Sequence, residues 1–180
     1  MTFTLARLLI AIALLASSSL AVAQNKSPNN SSSILGHVAS VGPQQAIKDY
    51  YGNPVWYEIL KGIASGKSDW IKVYAALRRG SDGAASEDLT EAISDAMPIA
   101  PFRILPVLHT EKGGHSSIKD LCIFGVEMSA GKTGVGTYVT LFEQSLKQAN
   151  SPEQRSIRDA CLIGIAEAKR NSETMNDVQR

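Results

Sequence analysis

The chain has no apolar run long enough to span a bilayer, almost no net charge and only two cysteines, and each shortage removes a class of protein. The apolar run at residues 8–15 is broken by Ser17, Ser18 and Ser19, whereas a membrane-crossing helix takes about 20 apolar residues. A retained anchor is therefore not expected. The formal charge of +1 provides no global field to gather nucleic acid or an anionic membrane. Cys122 and Cys161 are too few for a disulfide scaffold and have neither zinc-ligand spacing nor a Cys-x-x-Cys redox arrangement.

Signatures of catalysis are also missing. No serine stands in a Gly-x-Ser-x-Gly elbow, and neither cysteine has a sequence context that would lower its pKa. The stretch at residues 130–137 contains Gly131-Lys132-Thr133, but a phosphate loop needs a glycine five positions earlier, where Val126 stands. Gly131, Gly134 and Gly136 also run in the reverse of the dinucleotide-binding spacing. This stretch is expected to be a loop between helices, and no cofactor is expected.

A secretory signal is present. Arg7, the apolar run after it, and the small residues of Ala21-Val22-Ala23 form the three parts of a cleavable export signal over residues 1–23. Cleavage after Ala23 would remove Arg7 and bring the formal charge to zero. The mature chain is then expected in the periplasm or outside the cell. No cysteine lies near the junction, so a lipid-modified amino terminus is excluded. In an oxidising compartment, Cys122 and Cys161 are expected to pair, with two separate buried thiols as the alternative. Closing a loop of roughly 40 residues would contribute about 3 to 4 kcal/mol.

After the signal, residues 24–33 are Asn, Ser, Lys and Pro without periodicity, which reads as a flexible leader. Residues 171–180 read as a polar, fraying tail. Between them, 34–170 is expected to be a single all-α domain, a compact bundle of six or seven short helices. Asn53 and Pro54 open a helix whose apolar stripe is Val55, Trp56, Ile59, Leu60 and Ile63, and Gly66 closes it. Trp70, Val73, Tyr74 and Leu77 mark the next, stopped by Arg78, Arg79 and Gly80. Ser86 is placed to cap a third helix with Leu89, Ala92, Ile93 and Met97 on its stripe. Pro98, Pro101 and Pro106 allow only a short helix over residues 102–108. Residues 118–128 read as helix in preference to strand, 135–149 as helix, and Ser151-Pro152-Glu153-Gln154 as a capping box opening the last. The pair over 68–108 has the look of one helical-hairpin unit of HEAT-like packing, although no third copy is visible.

Three clusters are candidates for function. The loop over 109–117 holds His109, Glu111, Lys112 and His115. Lys112 amid these ligands, and the lack of a known ligand spacing, argue against a metal, so the loop is read as a polar surface offered to a partner. Tyr50, Tyr51 and Tyr57 could edge a binding surface, with Trp56 and Trp70 in the core. His37 is assigned no part. Asp69, Asp82, Glu87, Asp88 and Glu91 lie close along the chain, and their ordinary role is capping and dipole compensation.

In its export signal, helical content and cysteine pair, the chain resembles small exported helical proteins of Gram-negative bacteria, among them immunity proteins that block cell-wall-cleaving effectors. The resemblance implies a non-catalytic protein-binding domain of the cell envelope, with an inhibitor or immunity factor as one form, whose partner is another envelope or secreted protein. The alternatives are an envelope enzyme acting on cell-wall polymer through the acids at 69–91, and a structural component of an envelope assembly.

Overall fold

The computed structural model describes residues 30–111, 117–133 and 135–178. The export signal, the leader up to residue 29, Lys112 and His115 lie outside the described residues. Among those described there are nine helices and no strand: α1 (Ser31–Val41), α2 (Pro43–Tyr50), α3 (Pro54–Ala64), α4 (Ser68–Arg78), α5 (Gly83–Ala96), α6 (Pro101–His109), α7 (Ile118–Thr133), α8 (Val135–Leu146) and α9 (Pro152–Val178). The all-α class holds, but the expected six or seven helices become nine.

The two unforeseen helices come first. Asn30 caps α1 by accepting the Ser33 N–H at 2.8 Å, so helix begins at Ser31, inside the stretch read as leader. Its buried residues, Ile34 and Val38, are one turn apart. Gly42 at φ 85° breaks the chain in a conformation glycine tolerates, and Pro43 starts α2 at its first position. α2 is polar overall and buries only Ala46 and Ile47, so little in its composition announces a core element.

Later boundaries follow the local chemistry more closely. The Asn53 side chain accepts the Val55 N–H at 2.8 Å and opens α3. α5 begins at Gly83, with Asp82 at the cap position in place of the expected cap Ser86, whose hydroxyl is engaged elsewhere. α7 is helical through Cys122 and continues through Gly131-Lys132-Thr133, where a loop was expected. The Ser151 hydroxyl accepts the Gln154 N–H at 3.1 Å, while the Gln154 side chain accepts from Asn150 N–H at 3.0 Å, one residue earlier than a capping box would have it. α9 continues to Val178, into the stretch read as tail.

From α2 onward every helix packs on its next neighbour and on the one after it. α3, α5, α7 and α9 thus follow one another along one side of the core, and α4, α6 and α8 along the other. α1 folds back onto α4. Ile59, Ile63, Leu77, Leu89, Ile104, Leu105, Phe142 and Leu146 are fully buried between them, and burial of such side chains contributes about 1.5 to 3 kcal/mol each. Cys122 and Cys161 form a disulfide between α7 and α9, with Cα atoms 5.3 Å apart. Beside it the helices approach closely at Gly164, where an added Cβ would run into the Lys119 carbonyl oxygen. No described helix is long and apolar enough to cross a membrane.

Candidate functional site

Where α4 ends, α5 begins and α6 ends, the chain leaves a cleft of about 670 Å³. Its polar wall is Arg78, Arg79, Ser81, Ser86, Thr110 and Glu111, and its apolar wall is Ala75 and Val107. Local sequence explains the placement. α4 stops at Arg78, and Gly80 lets the turn press against α2, since a Cβ there would stand 2.7 Å from the Pro43 carbonyl carbon. The turn carries Ser81, and the first turn of α5 brings Ser86 back over Arg78.

The side chains in this cleft are tied together. Arg78 Nε stands 3.5 Å from Glu111 Oε2. Its Nη1 donates to the Ser86 hydroxyl, and to the Ser81 hydroxyl at 3.5 Å. The other carboxylate oxygen of Glu111, Oε1, is buried, and among the described residues no hydrogen bond of ordinary geometry reaches it. Tyr74 lies behind this pair, 1% exposed. Its phenol is pushed well above the usual tyrosine range, first by burial and then by the Glu111 carboxylate, with Arg78 opposing. The phenol therefore stays neutral and holds its proton beside the carboxylate. Arg79 is exposed on the rim, and no described residue pairs with it.

The loop residues expected to meet a partner divide. Glu111 is half-buried and ion-paired in the cleft, not a mobile tip, because Arg78 holds it. His109 is exposed at the end of α6 and does not line the cleft. Thr110, which the sequence did not single out, forms part of the rim.

Among the tyrosines, Tyr50 is half-buried, and its ring stands edge-on to His37 at 5.2 Å. His37 Nε2 is 2.7 Å from Asp49 Oδ2, so a histidine assigned no part stands beside one of the candidate tyrosines. The Asp49 carboxyl is held below its usual range, first by the hydrogen bond from Gln45 and then by that from His37. Tyr50 is raised by burial and by Asp49. Tyr51 is exposed and packs edge-on to buried Trp56 at 5.5 Å. Tyr57 is 70% exposed, and among the described residues no ring contact joins it to the other two.

The acids do not converge as a set. Asp69 pairs with Lys72 at 3.0 Å, Asp82 occupies the cap position of α5, and Glu87 is exposed. Asp88 accepts the Trp56 indole N–H at 2.8 Å. Only Asp88 and Glu91 share a groove, of about 210 Å³, with Lys61 and with Asp95, whose carboxyl is raised by burial. Among the described residues no group of three His, Cys, Asp or Glu side chains is placed to hold a metal.

Sequence reading missed the cleft because each of its residues had a sufficient local explanation. Arg78 and Arg79 read as a helix stop signal, Ser81 as a turn and Ser86 as a cap. Two arginines beside a glycine turn were the available signal. Compared with known proteins, the chain matches no family model, no curated protein and no solved structure.

Proposed function

We propose that this chain is an exported, non-catalytic protein-binding domain of the bacterial cell envelope, of inhibitor or immunity type, built as a HEAT-like stack of helical hairpins. The observation that carries the reading is the cleft at the ends of α4, α5 and α6. It is concave, its size is that of a ligand site, and its ties are ion pairs and hydroxyl bonds around an arginine. Binding surfaces are enriched in arginine and have polar rims. The packing order, in which each helix from α2 onward meets its first and second neighbours, supports the hairpin stack, an architecture whose use is to present extended surfaces. The disulfide supports an oxidising compartment, and the signal at residues 1–23 supports export.

Two measurements test this. Amino-terminal sequencing of the purified native protein should begin at Gln24; an intact Met1 would remove the export claim. Affinity capture from envelope extract should enrich a protein that Thr110→Trp, which fills the rim from an exposed position, fails to retain. Equal retention by both forms would contradict the assignment of the cleft.

A second reading, an envelope enzyme acting on cell-wall polymer, rests on the groove holding Asp88, Glu91 and Asp95. Asp88 is committed there to the Trp56 indole, which favours a structural role for this acid. Release of soluble fragments from purified cell wall, abolished by Asp95→Asn, would establish the enzyme over the binding domain.

A further inference from the structure

The chemistry of the cleft narrows what its partner presents. Arg78 has five N–H donors in a fixed fork. Glu111 faces its Nε edge, and Ser81 and Ser86 take Nη1. The buried Tyr74 phenol is also hydrogen-bonded to Arg78, and the whole guanidinium of Arg79 stands on the rim with no described partner. The first arginine is held by partners on three sides, so little rotamer freedom remains to be lost when a ligand binds. The second arginine adds a charge that nothing in the described fold offsets. Around them stand three hydroxyls, from Ser81, Ser86 and Thr110, and the apolar faces of Ala75 and Val107.

The bracing of Arg78 is a second observation. Glu111 faces its Nε edge, and the buried, neutral Tyr74 phenol is hydrogen-bonded to both side chains. The guanidinium is thus fixed from behind before any ligand arrives, which lowers the ordering that binding must supply.

Resting on the protein-binding reading above, we infer that the cleft takes an acidic side chain of a polypeptide partner, its carboxylate meeting the Arg79 guanidinium and the face that Arg78 turns to the cleft. The apolar wall suits the methylene stem of such a residue. Planar, paired donors match the two oxygens of a carboxylate.

The test titrates the full mature chain with N-acetylglutamate N-methylamide, which carries one side-chain carboxylate and no other charge. The arginine Nε–Hε signals are followed by NMR. Saturable shifts of Arg78 and Arg79 are expected, with affinity falling at least about tenfold in Arg79→Gln and the melting temperature unchanged. Arg78→Lys, which keeps the charge but loses the fork, should weaken binding by a similar factor. No saturable shift overturns the inference. So does an equal response to the neutral glutamine analogue, or a response to inorganic phosphate alone. A partner that Thr110→Trp loses but Arg79→Gln retains would also overturn the carboxylate while leaving the protein-binding reading intact.

Discussion

Arg78 ends a helix and also organises a cleft, and this double duty is why single side chains were read correctly for their local role and incompletely for their wider one. A basic residue in the last turn satisfies the helix dipole, so nothing in the sequence asked for a further partner. Glu111 shows the converse. Sequence placed it in an exposed loop, yet the cation at the end of α4 draws it in. Asp95 offers a direct check at this level. Its carboxyl is raised from 3.8 by burial, so the folded chain binds that proton more tightly than the unfolded chain. Stability from this group therefore grows as pH falls through the raised range and is lost above it. Asp95→Asn removes the charged form, and the variant is expected to melt above the parent at pH 7. The gap should close as pH drops below the ordinary carboxylate value. A variant that melts lower at pH 7 would show that the contacts of this carboxylate outweigh its burial.

Helices with a clear apolar stripe were legible: α4 and α8, together with α3 and the start of α9, which Asn53 and Ser151 cap, fall close to where pattern places them. α1 and α2 were not. The two buried anchors of α1 sit next to a polar leader, and α2 buries two residues out of an otherwise polar turn-rich sequence, so neither offers enough periodic positions to stand out. Tertiary contact with α4 supplies what their composition lacks. The glycines at 131 and 136 misled in the other direction, because glycine costs a helix only about 1 kcal/mol and packing can absorb it. The pairing of α7 with α9 carries the next expectation. Cys161→Ser should destabilise the domain by about 3 to 4 kcal/mol by releasing a loop of roughly 40 residues in the unfolded chain. Urea unfolding under non-reducing conditions measures this, and an unchanged midpoint would mean that close packing around Gly164 is sufficient by itself.

The whole molecule is two staggered rows of helices, fastened at the carboxy-terminal end by a disulfide and opened between α4, α5 and α6 by a polar cleft. Fold class and the cysteine pair could be read from the sequence because they depend on pattern and compartment. The cleft could not, because it joins residues from positions 75 to 111 whose meeting depends on the turn at Gly80 and the proline-rich path into α6.

The most direct measurement places a photo-crosslinking amino acid at Thr110, on the rim, and separately at Asp159, exposed on the outer side of α9, in the full chain expressed in its host. Irradiation should yield one protein adduct from position 110 and none from 159. Adducts of equal yield at both positions, or none at 110, would contradict the assignment of the cleft as the surface through which this protein acts.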